Sequence, residues 1–296
     1  MITYVRARTP AKVNPVLEVL ARRPDGYHEL SLIFQAIALF DELEFIRGGD
    51  GLRVEVAESP EPLTVDDSNL VVKAAKLFLK EVLQGTADVL IRLKKNIPLA
   101  AGLGGGSSDA AATLVGLDLV FNAMASKDHL HSLAAQVGSD VPFFLSGGTA
   151  LGTGRGEIIT PWEAAPPMPL VLVKPRSGLS TPAVYQSGKA EFSSGKRTAA
   201  FQELLHEKSL PKIAGSLFNS LQPAAFYLMP EVERLRDGLL KAGALGALVS
   251  GSGPTVFGIA RNRKAAEEIA ARMQGDGRLA LATHSLAGGI QVLEKK

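Results

Sequence analysis

The 296-residue sequence predicts an α+β fold, because strand-like and helix-like stretches are mixed without the regular alternation of a doubly wound sheet. Apolar residues make up 46% of the chain and charged residues 21%, which supplies a sizeable core and argues against disorder. Four prolines fall within residues 161–169, so we place the boundary between two predicted domains, 1–160 and 161–296, at this stretch.

The first part of the chain is predicted to be rich in strands. Period-two alternation indicates strands, whereas apolar residues three and four apart indicate a helix. In order, we expect a strand around 11–14, a turn at 22–28, an apolar run at 30–40, a hairpin over 43–56 that turns at 48–51, a helix over 69–83 and a strand over 89–94.

The rest of the chain is predicted to contain more helix. In order, we expect helices over 108–125 and 127–137, a glycine-rich turn at 147–156, a short buried strand at 170–173, a polar loop at 191–197, and helices over 199–205, 232–241 and 265–273. No fixed-period repeat and no low-complexity tract is present in the sequence.

Charge and residue usage exclude several classes of function. The formal net charge is only +2, so no basic field indicates nucleic acid as a partner. The chain has no cysteine, which excludes a disulfide framework, a thiolate zinc site, an iron–sulfur centre and a cysteine nucleophile. The five histidines are scattered and form no metal-ligand pattern, so the metal ligands are unknown at this stage.

Nothing in the sequence predicts a membrane partner. The two arginines near the start are not followed by the apolar stretch of a secretory signal. Residues 110–125 come closest to a membrane span, but Asp118 and Asn122 interrupt them and they are shorter than the ~20 residues that a span needs. We therefore expect a soluble, cytoplasmic protein.

The strongest local signal is a glycine cluster between a predicted strand and a predicted helix. Glycines allow backbone N–H groups to converge on an anion, and the helix adds its unsatisfied first-turn donors. This arrangement predicts a phosphate cradle, although a helix N-cap after a flexible turn is the alternative. The cluster comprises Pro98, Leu99, Ala100, Ala101, Gly102, Leu103, Gly104, Gly105, Gly106, Ser107 and Ser108.

The cradle matches none of the common nucleotide motifs. No lysine follows its glycines as in a P-loop, and the third glycine of a dinucleotide fingerprint is missing. The H-R-D and D-F-G signatures of protein kinases are also absent from the sequence. With these motifs excluded, the sequence favours nucleotide binding by another fold.

Two charged residues are candidates for catalysis. Asp140 lies between small residues and an apolar run, where it is placed to take a proton from an attacking hydroxyl or, alternatively, to cap the turn before Pro142. Lys12 occupies an inward-looking strand position, where a lysine needs a partner. Asp140 would supply that partner, and Lys12 would hold it ionised or stabilise developing charge. The alternative for Lys12 is an exposed lysine on an edge strand.

Two further features indicate ligand contacts. The small residues at 250–253 predict a loop that lies against another backbone or a ligand, or else a tight structural turn. Tyr27 and Tyr185 are each able to supply a stacking face for a base, or to be ordinary core or rim residues. His28 follows Tyr27 in a turn beside an aromatic ring.

Taken in order, these motifs resemble the GHMP kinases. The resemblance rests on the cradle, on Gly138-Ser139-Asp140-Val141-Pro142 and on Ser250-Gly251-Ser252-Gly253-Pro254-Thr255, and it extends from about residue 12 to residue 257. The opening Ala11-Lys12-Val13-Asn14 and the turn Asp25-Gly26-Tyr27-His28 resemble one branch more specifically. The resemblance implies two α+β domains with the active site in the cleft between them.

The resemblance to this branch implies phosphorylation of 4-diphosphocytidyl-2-C-methyl-D-erythritol on its 2-hydroxyl with ATP and Mg²⁺, in the non-mevalonate route to isoprenoid precursors. By position, the resemblance makes Asp140 the catalytic base and Lys12 its partner. It assigns the cradle to the ATP phosphates, Asn69, Leu70 and Lys95 to the adenine end, and Asn14, Tyr27, His28 and Tyr185 to the cytidine pocket. Residues 186–206 match no motif.

Two other functions stay open at this stage. One is a kinase for mevalonate, a phosphorylated mevalonate or homoserine, against which Tyr27 and His28 argue. The other is a non-catalytic nucleotide-binding protein, which would be expected to have lost Lys12 or Asp140. For assembly we expect a monomer or a weak homodimer whose partners are the small-molecule substrate and ATP.

Overall fold

The computed structural model describes residues 2–162 and 165–296, and it contains both helices and strands, as the α+β prediction requires. The strands form an eight-stranded sheet and a four-stranded sheet. The larger sheet contains β1 (Tyr4–Arg22), β2 (His28–Arg47), β3 (Leu52–Glu58), β4 (Val89–Lys94), β5 (Thr149–Gly154), β6 (Ile158–Trp162), β8 (Phe218–Asn219) and β12 (Gln291–Lys295). The smaller sheet contains β7 (Pro169–Lys174), β9 (Gly246–Val249), β10 (Val256–Ile259) and β11 (Leu279–His284).

Ten helices connect and cover these strands in the described residues. They are α1 (Leu70–Glu81), α2 (Gly105–Phe121), α3 (Lys127–Val137), α4 (Val141–Ser146), α5 (Thr181–Gln186), α6 (Lys196–Glu207), α7 (Leu210–Gly215), α8 (Gln222–Leu228), α9 (Pro230–Lys241) and α10 (Arg263–Met273). In the described ranges, no helix is long and apolar enough to cross a membrane.

The two sheets share a core between them. Along β2, Leu32 and Phe34 pack with α1 to α4, whereas Ile33 and Ile37 pack toward the smaller sheet. This is the period-two alternation of a strand that is buried on both faces. Leu172 of β7 joins the shared core, and its neighbours in the strand pack with α9 and α10.

The predicted hairpin over 43–56 is wrong. Its two arms form strands β2 and β3, but β4 lies between them and pairs antiparallel with β2 and parallel with β3. Alternation in a sequence shows which face of a strand is buried, but it does not show which strand lies beside it. Val89, Ile91 and Leu93 of β4 are almost completely buried, as expected for a strand that lies between two others.

The helices over 69–83, 127–137, 199–205, 232–241 and 265–273 lie where the sequence predicted them, within a few residues. The glycine-rich stretch predicted as a turn at 147–156 instead contains β5, which pairs with β2. The proline-rich stretch separates β6 of the larger sheet from β7 of the smaller one. The division into 1–160 and 161–296 stays a prediction, because β12 returns to pair with β1.

Candidate active site

A cavity of about 1080 Å³ is lined by residues from distant parts of the chain. The glycine-rich segment from Pro98 to Ser107 forms one side of it. Lys12, Asn14 and Asp140 also line it, as do Tyr27, His28 and Tyr185. Three groups of residues that the sequence predicted separately therefore face one space.

Lys12 and Asp140 form an ion pair at the cavity wall, with 3.4 Å between Lys12 Nζ and Asp140 Oδ2. The Lys12 side chain is 5% exposed, so the alternative of an exposed lysine on an edge strand is wrong. Asp140 precedes α4 but makes no capping hydrogen bond with its side chain, and a third of that side chain is exposed. Its carboxylate is therefore open to the cavity.

Neighbouring bonds fix the position of the lysine. Lys12 Nζ donates to Asn14 Oδ1 at 2.7 Å, and Asn14 Nδ2 donates to the carbonyl of Ile33 at 3.3 Å. The backbone N–H of Lys12 donates to the carbonyl of Leu103 at 2.9 Å, which ties β1 to the glycine segment. These bonds fix the position of the Lys12 ammonium group relative to the Asp140 carboxylate and to the glycine segment.

The glycine segment has the backbone geometry that an anion cradle needs. Gly102 and Gly104 have φ angles of +74° and +72°, in the left-handed region that glycine adopts without strain. Gly104 is the N-cap of α2, and no side chain caps the helix. The first turn also carries no acidic residue, so its N–H groups and the helix dipole are available to a negatively charged ligand.

Helix α2 begins at Gly105, three residues before the predicted start at 108, and this changes the position of Ser108. The Ser108 hydroxyl is buried and donates to the carbonyl of Pro10 at 2.6 Å, with Thr9 Oγ1 only 2.5 Å away. It is therefore held against β1, whereas Ser107 lines the cavity. Of the two serines, Ser107 is the one placed to meet a ligand.

The three residues assigned by resemblance to the adenine end differ in their surroundings. Leu70 lines the cavity, and Asn69 caps α1 by accepting a hydrogen bond from the N–H of Val71 at 2.9 Å. Lys95 has a side chain only 1% exposed, and its ammonium group pairs with Asp41 and with Asp109. Its side chain does not line the cavity, and its role in binding ATP stays a prediction.

This buried cluster lies beneath the glycine segment. Lys95 Nζ is 2.6 Å from Asp109 Oδ2, and Asp41 Oδ1 accepts from the N–H groups of Asn96 and Ile97 at 2.6 and 2.8 Å. Burial lowers the pKa of Lys95, but the charges of Asp109 and Asp41 outweigh it and leave that pKa raised. Burial raises the pKa of the Asp109 carboxyl well above its ordinary value, because Lys95 cannot neutralise two carboxylates.

The rings of His28 and Tyr185, which also line the cavity, stack with 4.9 Å between centroids and 28° between planes. Burial, assisted by the charge of Arg22, lowers the pKa of His28, and so favours the neutral imidazole. Burial and the charge of Asp140 raise the pKa of the Tyr185 hydroxyl, which therefore stays protonated. Tyr27 is 53% exposed at the rim.

Several residues that line the cavity were not predicted from the sequence. Arg155 is one of them, and its guanidinium carbon lies 4.9 Å from the centre of the Tyr27 ring. Its position between two glycines was a weak signal, since such glycines also mark ordinary turns. The remaining unpredicted lining residues with polar or aromatic side chains include Arg22, Ser139, Thr181, Gln186 and Phe192.

The loop at 250–253 lies against the glycine segment, which confirms the prediction that it is pressed against another backbone. Ser250 Oγ donates to the carbonyl of Gly102 at 2.9 Å, and the N–H of Thr255 donates to the carbonyl of Ala101 at 3.3 Å. Gly251 and Ser252 also reach the cavity. The smaller sheet thus contributes both support and lining to the site.

The arrangement combines the parts that phosphoryl transfer to a hydroxyl requires. It has an anion cradle at a helix N-terminus and a carboxylate paired with a buried lysine. It also has an aromatic recess, formed by Tyr27, His28 and Tyr185. Among the described residues, no group of three or more histidines, aspartates and glutamates is placed to hold a metal ion by itself. The cradle and the ion pair supply positioning and fixed charges at this site.

Comparison with known proteins gives consistent matches. Residues 69–148 match the N-terminal domain of the GHMP kinases and residues 199–278 match their C-terminal domain. A relative from Pelotomaculum thermopropionicum, named 4-diphosphocytidyl-2-C-methyl-D-erythritol kinase, is 46% identical over 90% of this chain and 93% of its own. A relative of the same name from Moorella thermoacetica is 44% identical over 89% of this chain and 92% of its own.

Solved structures agree with the sequence relatives. The crystal structure of a 4-(cytidine 5'-diphospho)-2C-methyl-D-erythritol kinase superposes with a TM-score of 0.80 at 36% identity, covering 96% of this chain and 100% of that one. A homoserine kinase from Cytophaga hutchinsonii has a TM-score of 0.76 at 19% identity, over 98% of this chain and 97% of its own, which shows a shared fold. The chain therefore belongs to the GHMP kinase family, among the 4-diphosphocytidyl-2-C-methyl-D-erythritol kinases.

Proposed function

We propose that the protein transfers the γ-phosphoryl group of ATP to the 2-hydroxyl of 4-diphosphocytidyl-2-C-methyl-D-erythritol, a step of the non-mevalonate route to isoprenoid precursors. The names of its relatives support the reaction. The observation that carries the proposal is that the Lys12–Asp140 pair opens onto a cavity that the glycine cradle and the aromatic recess also line.

In this reaction Asp140 accepts the proton of the acceptor hydroxyl as its oxygen attacks the γ-phosphorus. The bond between the γ-phosphorus and the β–γ bridging oxygen breaks, and ADP leaves. Lys12, held by Asn14, places its positive charge beside the carboxylate and the developing charge on the transferred group. The first-turn N–H groups of α2 hold the phosphates of ATP in line for the transfer.

The residues present fit a magnesium ion that is bound mainly by ATP. Mg²⁺ in such sites keeps several waters and takes one or two protein oxygens in addition to the phosphates. Ser107 lines the cavity in the first turn of α2, so its hydroxyl would supply such an oxygen, while Asp140 stays free to act as the base. When bound, Mg²⁺ neutralises phosphate charge.

The aromatic recess supports recognition of a pyrimidine nucleotide as the acceptor. Tyr27 and Tyr185 supply ring faces, and the neutral imidazole of His28 offers a ring nitrogen as acceptor. Acceptors without a base, such as homoserine or mevalonate, would make no stacking contact with these three rings. The recess therefore favours the cytidine conjugate over the smaller alcohols.

An ADP-release assay with magnesium–ATP tests the proposal directly. The acceptors compared are 4-diphosphocytidyl-2-C-methyl-D-erythritol, mevalonate and homoserine, each over the same concentration range. We expect turnover of the cytidine conjugate alone. Turnover of mevalonate or homoserine, without turnover of the conjugate, would overturn the acceptor while leaving the phosphoryl donor in place.

Assembly and location are part of the same proposal. We propose that the protein acts as a monomer or a weak homodimer in the cytoplasm; one chain is enough to bring the glycine cradle, the Lys12–Asp140 pair and the aromatic residues to one cavity. Light scattering coupled to size-exclusion chromatography, over a hundredfold range of protein concentration, measures the assembly. A stable dimer or a larger oligomer at the lowest concentration would contradict it.

A further inference from the structure

The segment that follows α5 carries an exposed aromatic ring at the edge of the cavity. Phe192 is 62% exposed, although large apolar side chains are usually buried. It lines the cavity beside the recess, and its ring centroid lies 6.4 Å from that of His28 with 40° between the two planes. No pattern in residues 186–206 pointed to it.

Backbone bonds on both sides hold Phe192 in this place. The N–H of Ser193 donates to the carbonyl of Val19 at 2.8 Å, and Phe192 itself forms an isolated parallel bridge with Val19. On the other side, the N–H of Glu191 donates to the carbonyl of Ser220 at 2.9 Å. The ring is therefore presented by a segment attached to β1, even though the ring itself is open to solvent.

A buried carboxylate anchors the same segment. Glu18 has no exposed surface, and it accepts hydrogen bonds from Ser193 Oγ at 2.5 Å and from the N–H and hydroxyl of Thr198, each at 2.7 Å. Burial alone would raise the pKa of Glu18, but these hydrogen bonds outweigh burial and lower it. A carboxylate that stays charged thus fixes the segment from Ser193 to the start of α6.

An exposed ring on an anchored segment is preorganised for a ligand. The apolar surface of the Phe192 ring is free to contact a ligand. The conformational entropy of the segment is lost on folding, so a ligand does not have to order it. Since the ring of His28 lies next to Phe192 and stacks on Tyr185, a base held in the recess lies within reach of Phe192. A planar, apolar group is the chemistry that an aromatic ring in this position recognises.

We infer that Phe192 is a specificity-determining residue that covers the pyrimidine nucleoside of the acceptor, as a third aromatic wall beside His28 and Tyr185. The inference rests on the proposed function, because it assumes that the acceptor carries a cytidine. It concerns the acceptor alone, because the ring that Phe192 lies beside is that of His28 in the recess.

Steady-state kinetics of Phe192→Ala and Phe192→Leu test the inference. We expect the alanine variant to raise the KM of the cytidine conjugate about tenfold, equivalent to about 1.4 kcal/mol, with the KM of ATP changed less than twofold. Leucine restores apolar volume without an aromatic face, so it should recover only part of the loss. Because the ring is exposed, both variants are expected to unfold at the wild-type temperature.

Tyr227→Ala is the matched control, since Tyr227 is 64% exposed and does not line the cavity. It should leave both KM values unchanged. An unchanged acceptor KM in Phe192→Ala, or an equal rise in both KM values, would overturn the inference.

Calorimetry with cytidine diphosphate separates this inference from the proposed reaction. If the wild type binds cytidine diphosphate and Phe192→Ala binds it about tenfold more weakly, the inference holds even if the conjugate is not turned over. Turnover of the conjugate with no effect of Phe192→Ala in either assay would overturn the inference and leave the reaction standing. Failure of the wild type to bind cytidine diphosphate would overturn the inference as well.

Discussion

Gly102→Ala should damage both stability and the ATP site. A Cβ at Gly102 would collide with the carbonyl oxygen of Ser250 and would lie 3.0 Å from both the nitrogen and the oxygen of Gly253. All three are backbone atoms, so relief requires the two loops to separate. The φ of +74° adds the strain of a left-handed alanine. Strain and overpacking together are expected to cost about 2–6 kcal/mol of unfolding free energy.

The same segment offers a matched control. Gly106 lies in the first turn of α2, and a Cβ there meets only Leu70 Cδ1 at 3.6 Å, an ordinary van der Waals distance. Its φ lies outside the left-handed region, so Gly106→Ala should leave stability unchanged or raise it by about 0.5–1 kcal/mol.

Urea unfolding of both variants, followed by circular dichroism, measures these free energies, and steady-state kinetics measure the KM of ATP. We expect Gly102→Ala to lose stability and to raise the KM of ATP, because separating the loops moves the cradle. A Gly102→Ala protein as stable as the wild type would refute the packing argument. So would a stability loss in Gly106→Ala equal to that in Gly102→Ala.

Three further predictions concern charged and titratable groups. Asp140→Asn should lower kcat by about 10²–10⁴-fold in the ADP-release assay while calorimetry shows ATP still bound, and a wild-type kcat would exclude Asp140 as the base. Asp41→Asn should lower the urea unfolding free energy by about 3–5 kcal/mol, because Lys95 loses a charged partner in a buried cluster, and a loss below about 1 kcal/mol would contradict this. The pKa of His28 is lowered, so its imidazole is neutral at neutral pH and gains a proton only as the pH falls below the ordinary range of histidine. The KM of the acceptor, measured from pH 5 to 8, should therefore rise toward low pH in the wild type. It should stay flat in His28→Asn.

The sequence was most informative at positions where the residue type has few structural explanations. Lys12 was predicted to face inward at its strand position and to need a charged partner, and the structure places it at 5% exposure with a carboxylate beside it. The glycine cradle was recognisable because so many glycines between a strand and a helix have little structural reason to occur together. Both signals depend on residues that are close together in the sequence, so they can be recognised without knowing the rest of the fold.

Contacts between distant segments were not predictable in the same way. The insertion of β4 between β2 and β3 depends on sheet pairing, which period-two alternation does not encode. Arg155 and Phe192 reach the cavity only because β5 pairs with β2 and Phe192 bridges to Val19. Taken alone, an arginine between glycines and a phenylalanine in a polar loop are unremarkable features of a sequence.

The smaller sheet also determines the environment of the predicted catalytic lysine. A Cβ at Gly251 would lie 3.1 Å from Lys12 Nζ and 3.4 Å from Asn14 Oδ1, and the φ of this glycine is +56°. The loop from the second half of the chain is therefore packed directly over the ammonium group. Because the same loop bonds to the carbonyl of Gly102, its position is coupled to the cradle. The distance between Lys12 and the cradle is thus set by contacts from both sheets, so the site is complete only when the two sheets are packed together.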